Sequence, residues 1–496
     1  MRFRFSPPES RGVLMGFSLG RLVALVGALG CAVLAIRSGG PASAVLWVIL
    51  ALVLLVLGLG RWGGRPFTAW LPVLVAYGVQ QRLNRHVYRG GPFAPNAAAE
   101  HMDLPGPLAS YAWLPARAPD GQHEIGLVHD RAAGQVIAVL QCSGTNTILE
   151  DSALQDRRIT DWGDVMRALG GDDESLVRWQ VLERTIPDGA SAADQFIRSR
   201  MLPEKVSTPA AEALRQLVSA SAPGALRHEV FLAVRFDAGR MGPQVKAAGG
   251  TDAAVAAVVV DALYAIERAV ADAGITSHGW LPPRALAAVL RTQFDPADLE
   301  TIEARDVDGD GARAGVAPQL AGPVAAEAHW AMYRHDSAWS QTVWVHQLPV
   351  REVGRHWLMP LLNQTSCRRS VALVAEPMTA ARAEAMARRQ LVQHEGDRRT
   401  RQKLKLVENA RARKELAAVA QEDEEVAAGF ARMRYSMYVT VTAADPDELQ
   451  RDVRLVRRQL SRSGCESVVL FGEQDQAFAA GALPLAYGLT PMRGLL

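Results

Sequence analysis

The apolar positions open the chain as two unbroken runs. Leu22 to Ile36 lies free of charge between Arg21 and Arg37, and Ala42 to Gly60 lies free of charge between Pro41 and Arg61. A bilayer core about 30 Å thick needs roughly 20 helical residues. The second run is a membrane span on that criterion, and the first becomes one by borrowing from Val13 to Gly20 while Arg21 snorkels to the surface. Arg37-Ser-Gly-Gly-Pro41 joins them as a tight hairpin. Arg2, Arg4, Arg11 and Arg21 flank one end and Arg61, Arg65, Arg82, Arg85 and Arg89 the other, whereas the turn holds only Arg37. Cytoplasmic loops attract arginine, so a two-pass protein of the cell membrane with both termini in the cytoplasm is expected. The rival is a signal peptide cleaved at Ala42-Ser43-Ala44, whose product would still carry the second run. Phe67 to Arg89 then mixes Trp70, Leu71, Val73, Leu74, Val75 and Tyr77 with trailing arginines. That is the pattern of a segment at the headgroup boundary, with a buried helix of the soluble part as the alternative.

Beyond about residue 110 the period changes to short strands. Glu124–Val128 and Val136–Leu140 read as a hairpin, Val177–Arg184 alternates, and Glu229–Phe236 is the strongest strand of this half. Helices are expected near Ile159–Leu169, Pro209–Ala220, Asp252–Ala273 and Pro283–Thr292. The second half reads strand Gln341–Leu348, helix Val353–Leu362, strand Ser370–Ala375, a long helix, strand Ser436–Thr442, helix Pro446–Ser461, strand Ser467–Phe471, an alternation like a ferredoxin-type sandwich. The long helix, Thr379 to Arg432, contains no proline and would reach about 80 Å at 1.5 Å per residue. It must break, fold back or project. The fold class is therefore α+β: a two-helix transmembrane hairpin followed by cytosolic α/β sandwich domains with a long charged helix. The expected divisions are 1–90 for hairpin and interfacial segment, 91–305 for a first α+β domain, 306–326 for a Gly/Ala-rich linker, and 327–496 for a ferredoxin-like domain with the helix at 379–432.

Composition narrows the chemistry. The 496 residues are 49% hydrophobic and 21% charged, with 54 basic against 52 acidic groups, which excludes intrinsic disorder and a globally basic nucleic-acid binder. Cys31, Cys142, Cys367 and Cys465 are scattered without zinc or disulfide spacing. The lysines are Lys205, Lys246, Lys403, Lys405 and Lys414, none after a glycine, so the chain has no Walker A loop. Gly16-Phe-Ser18-Leu-Gly20 spells a nucleophile elbow, but at the mouth of a membrane helix, where small residues serve close approach. Asp306-Val-Asp308-Gly-Asp310-Gly311 begins like a calcium loop and lacks its closing glutamate, position twelve being Ala317. His335 and Asp336 are the one acid/base pair that chemistry could use. No catalytic, metal or cofactor site is expected. The basic stretch Arg382–Lys414, with Arg398, Arg399 and Arg401, reads as a solvated face or a partner or lipid contact.

Three stretches together carry a resemblance. The two-span hairpin resembles the PrgI family of small conjugation-channel membrane proteins. Gly429-Phe430, the strand Tyr435–Thr442, the helix start Asp447-Glu448-Leu449 and Ala477-Phe478-Ala-Ala-Gly-Ala-Leu483-Pro484-Leu485 resemble the amino-terminal, non-motor domain of VirB/TrbE-type type IV secretion ATPases. Tyr333–Trp339, Trp357–Leu362 and the arginine bias are similar to an actinobacterial group of membrane-anchored proteins. The chain has no motor, so the resemblance implies a scaffold that docks a separately encoded AAA/RecA-like ATPase through Leu483, Pro484 and Leu485, as a homo-oligomer without direct nucleic-acid binding. Alternatives are an EccE-like subunit of type VII secretion and a membrane-bound enzyme.

Overall fold

The computed structural model describes residues 2–3, 19–62, 65–90, 101–143, 150–170, 175–187, 197, 200, 208–221, 226–307, 314–349, 351–363, 367–378 and 433–488. The apolar runs form α1 (Leu19–Arg37) and α2 (Pro41–Leu59), both long and apolar enough to cross a membrane. They pack as a hairpin in which Gly58 lets Leu25 close in, and Arg21 Nε donates to Gly58 O at 2.9 Å. Helix α3 (Phe67–Arg82) begins where α2 stops, its Phe67 N donating to Gly60 O at 3.1 Å.

A single sheet of thirteen strands follows: β1 (Val87–Arg89), β2 (Tyr111–Arg117), β3 (Glu124–Asp130), β4 (Gln135–Ser143), β5 (Leu176–Pro187), β6 (Leu226–Asp237), β7 (Thr276–Trp280), β8 (Ala325–Ala328), β9 (Tyr333–His335), β10 (Ala338–Gln347), β11 (Arg369–Pro377), β12 (Met433–Ala443) and β13 (Glu466–Val469). Every pairing is antiparallel, in the order β1-β8-β9-β10-β12-β11-β5-β6-β4-β3-β2, with β13 also on β10 and β7 also on β4. The two halves of the body that follows the hairpin are thus joined by a main-chain ladder between β5 and β11, across the expected boundary. The described part of the linker, 314–326, is packed down, with Val316 and Ala321 in the core.

The sheet is an internal repeat. In the first half β4, α4 (Ser152–Leu169), β5, β6, α5 (Asp252–Asp272) and β7 form strand-helix-strand-strand-helix-strand, and pairing places the strands fourth, first, third, second. In the second half β10, the short helix Met359–Leu362, β11, β12, α7 (Pro446–Arg462) and β13 repeat that order. Between α5 and α7 lies α6 (Pro283–Phe294), which follows β7; its counterpart α8 (Gln474–Gly481) follows β13. Each unit is preceded by a hairpin, β2–β3 or β8–β9, whose second strand pairs with the start of the unit's first strand. The equivalence reaches single hydrogen bonds. Helix α5 ends on Gly274 at φ +71° with Ile275 N bonded to Val270 O, and α7 on Gly464 at φ +81° with Cys465 N bonded to Leu460 O, the left-handed glycine cap that closes the last turn. Pro187 and Pro377 each end a second strand, which makes Leu182 the counterpart of Ala372; these two residues face each other at the middle of the β5–β11 ladder. The pseudo-two-fold axis therefore runs through that pair, perpendicular to the sheet.

On one face of the sheet Val234 and Trp179 are buried with Val165 of α4 and Leu263 of α5, and next to them Val439 and Val343 are buried with Val456 of α7. The opposite face holds a cluster shared by both units, where α6 and α8 meet through Phe294 and Phe478 with ring centroids 5.3 Å apart. The alternating strands were placed correctly by their period. The helix expected over Val353–Leu362 is reduced to Met359–Leu362, because Val353–Gly354 pairs with Arg2–Phe3 instead and Gly354 weakens helix there.

Candidate membrane-proximal interface

The apolar hairpin meets the body along α3, through a cluster of aromatic rings. The inner face of α3 buries Ala69, Trp70 and Val73. Trp70 lies 4.8 Å from Trp62, 5.9 Å from Trp330 and 6.1 Å from Phe471 by ring centroids, and Tyr77 meets Trp330 edge-on at 5.1 Å. Trp70 Nε1 donates to Trp62 O at 3.1 Å, which satisfies the one polar atom that its ring would otherwise strand. The loop before α8 approaches closely because Gly472, at φ +74°, bonds through its N–H to Trp330 O at 2.7 Å. A Cβ there would stand 2.6 Å from the Trp330 ring and 2.9 Å from Val73. Polar pairs frame the aromatics. Buried Arg65 donates to Glu473 at 2.9 Å and lies over the Trp70 ring, and Gln80 donates to Asp475 at 2.9 Å. Burial pushes the Asp475 carboxyl above its usual range.

A second surface lies on α7. Asp445 caps the helix by accepting from Asp447 N and Glu448 N, and Pro446 starts it. Leu449, Val453, Val456 and Leu460 face the core, so the helical period turns Arg451, Arg454, Arg458 and Arg462 outward in one exposed row. Among the described residues Arg454, Arg458 and Arg462 enter no ion pair. The sequence carries this spacing plainly, as arginine at 451, 454, 458 and 462, on a helix whose basic residues are fewer than those of the stretch upstream.

The residues singled out from sequence are placed as follows. Leu483, Pro484 and Leu485 are buried in their own chain. Gln180 Nε2 donates to Leu483 O, and Ala486 N donates to Gln180 Oε1, closing the segment onto β5. They offer no exposed docking surface in this fold, because the apolar segment covers the shared core face. Arg398, Arg399 and Arg401, the long helix 379–432 and Ser18 lie outside the described residues, as do Asp308 and Asp310. His335 is fully buried between Phe294 O at 2.5 Å and Ser340 Oγ at 2.8 Å, and burial drives its pKa down to about 4. Asp336 turns the other way, accepting from Val324 N, Ala325 N and Arg291. The pair holds a turn and a core together and does not converge on a cleft. A cavity of about 220 Å³ is lined by Asp103, Arg291, Asp298, Ile302 and Gln319, but Arg291 spends its charge on Asp295, Asp298 and Asp336. The four cysteines are free and buried, with the Cys142 thiol pushed up to about 11. Among the described residues no group of three or more His, Cys, Asp or Glu could hold a metal.

No protein-family profile matches the chain, and no curated protein matches it in sequence.

Proposed function

We propose that this chain is a membrane-anchored, non-catalytic structural subunit of a type IV secretion or conjugation-like machine, and that it docks a separately encoded ATPase at the cytoplasmic face of the cell membrane. The hairpin crosses twice with both termini inside. The second unit is read as the ferredoxin-like, non-motor part of such an ATPase, working as a homo-oligomeric platform that makes no direct contact with nucleic acid. The observation that carries this reading is the join of anchor to body. The chain leaves α2, hydrogen-bonds straight into α3, and packs α3 through Trp70 and Val73 onto Trp330, Phe471 and Gly472. Whatever binds the body is then held at a fixed place on the membrane, which is what a docking platform requires.

The contact for the motor is the arginine row of α7, Arg454, Arg458 and Arg462, together with Arg398, Arg399 and Arg401 of the upstream basic stretch. Exposed cations in one row suit an acidic partner surface and set its register and association rate. The test is purification of the chain from detergent-solubilised membranes of its source, followed by identification of what accompanies it. A Walker-containing ATPase is expected with the wild type and absent with Arg454→Glu/Arg458→Glu/Arg462→Glu. A chain purified intact and folded that brings no ATPase under mild, low-salt extraction refutes the reading.

A further inference from the structure

We propose that α3 is an in-plane docking helix: its outer stripe, Leu71, Leu74 and Val75, lies among phospholipid at the boundary between headgroups and acyl chains. The inference rests on the membrane-anchor reading above and adds a second point of attachment to it. Helix α3 has two apolar faces. At about 100° per residue, Ala69, Val73 and Gln80 fall on one side, and Leu71, Leu74, Val75 and Gly78 on the other. The first side is used by the body. The second is 67%, 52% and 59% exposed at Leu71, Leu74 and Val75, and the exposed run continues at Val79 and Leu83. Contiguous exposed apolar surface of this kind marks a contact.

The bilayer is the occupant because of where the helix is tied. Its first residue is bonded to Gly60, the residue that ends α2, and Thr68 stands 3.7 Å from the Cβ position of Gly20 in the first turn of α1. The start of α3 is thus held at the same end of both spans, at membrane-surface level. Helices with an apolar stripe and terminal cations sink about 5–10 Å into that zone. Arg82 closes the stripe, and Arg85 and Arg89 follow, placing cations where anionic headgroups lie.

The repeat supplies an internal control. The β8–β9 loop, which meets α3, reads His329-Trp330-Ala331-Met332, whereas its counterpart between β2 and β3 reads Ala118-Pro-Asp-Gly-Gln-His123, a polar turn at the opposite edge of the sheet. Only the unit beside the hairpin carries the aromatic seat.

The full-length chain is reconstituted in phosphatidylcholine–phosphatidylglycerol vesicles after labelling single added cysteines, Leu74→Cys or Val75→Cys, with an environment-sensitive fluorophore. The native thiols are buried, and the unmutated chain gives the background. Spin-labelled lipids quench at shallow or deep positions. At 74 and 75 the shallow quencher is expected to at least halve emission and to outdo the deep one. Val48→Cys in α2 should be quenched mainly by the deep probe and Leu154→Cys in α4 by neither. Quenching at 48 with none at 74 and 75 overturns the docking helix while the anchor stands. Absence of quenching at 48 overturns the anchor and this inference with it. Disulfide-linked pairs of the Leu74→Cys chain without lipid quenching would assign the stripe to a second copy and also overturn it.

Discussion

Removing the carboxy-terminal segment should unfold the body rather than merely release a partner. Leu483 and Leu485 are completely buried, as are Ala482 and Ala486 nearly so. A chain ending at Gly481 loses two buried leucines, worth about 1.5–3 kcal/mol each. It also strands a polar atom. Gln180 Oε1 loses its bond from Ala486 N, whereas Gln180 Nε2 loses Leu483 O but keeps Ala480 O, and Gln293 loses Ala482 O while keeping Ser370 Oγ. A buried group left without its partner costs about 1–3 kcal/mol. Together these reach about 4–9 kcal/mol, cavity costs apart, against a total stability of about 5–15 kcal/mol for an ordinary domain.

The assay is a urea or thermal melt of the detergent-solubilised protein followed by tryptophan emission, with limited proteolysis alongside. The Gly481 truncation is expected to show no cooperative transition. Leu483→Ala/Leu485→Ala, which keeps the chain length, should lose about 4–10 kcal/mol, and exposed Leu154→Ala should stay within about 0.5 kcal/mol of wild type. A Gly481 truncation that melts cooperatively near the wild-type midpoint would refute the reasoning, because it would mean that the segment contributes little to the core it occupies.

His335 has its pKa depressed to about 4 from an unfolded value of 6.5, so the unfolded chain binds the extra proton between those values; stability is expected to fall by about 3 kcal/mol as pH drops from 7 to 4, and His335→Gln should flatten that part of the urea-midpoint profile. Gly472→Ala combines a left-handed backbone with a Cβ driven against Trp330 and Val73; it should cost about 2–5 kcal/mol and shift tryptophan emission to the red, and an unchanged spectrum and midpoint would place α3 off the body. Reversal at Arg454, Arg458 and Arg462 should weaken partner recovery most at low salt, since exposed charges are screened over about 8 Å at physiological ionic strength; equal recovery at every salt concentration would remove α7 from the interface. A reporter fused after Leu496 should be active only in the cytoplasm, and activity confined to the outer face would invert the topology.

Much of the strand content was legible because alternation is local. Glu229–Phe236 reports its own burial, and so does Ser436–Thr442, whose Met437, Val439 and Val441 face α7. The hairpin was legible for the same reason. What escaped was short or non-local. Strand β7, Thr276–Trp280, carries a glycine and a register shift against β4, so no period survives in it. Strand β8, Ala325–Ala328, is alanine-rich and gains strand geometry from its neighbours β1 and β9. Helix α8 is eight residues long, with Ala477, Phe478, Ala479, Ala480 and Gly481 all buried, so it shows no amphipathic stripe. Gly481 itself admits the helix against Thr342 and Tyr438, where a Cβ would meet Thr440 Oγ1 at 2.5 Å. The aromatic seat was visible as residues, Trp70 and Trp330, but nothing in the spacing says that positions so far apart meet.

The repeat was hidden because its two copies keep geometry and not letters. Val234 and Val441 are equivalent, as are Gly274 and Gly464 and the strand-ending prolines; yet α5 runs 21 residues and α7 17, and α4 is matched only by Met359–Leu362. The axis through Leu182 and Ala372 has a consequence for how the body stands. It carries the edge next to the hairpin, where β13 and β9 flank β10, onto the edge where β7 and β3 flank β4. The path β13-β10-β12-β11-β5-β6-β4-β7 contains seven strand spacings of about 4.8 Å, roughly 34 Å along the hydrogen-bonding direction. Because α3 leads directly into β1 at the near edge, the sheet extends away from the hairpin strand by strand. The unit that carries α7 is then the near one, and the first unit, with the polar Pro119-Asp120-Gly121 turn where its twin carries Trp330, is the far one. Equivalent surfaces of one fold thereby meet different surroundings, and this difference, rather than the fold itself, explains why aromatics collect in one copy and a solvated turn in the other.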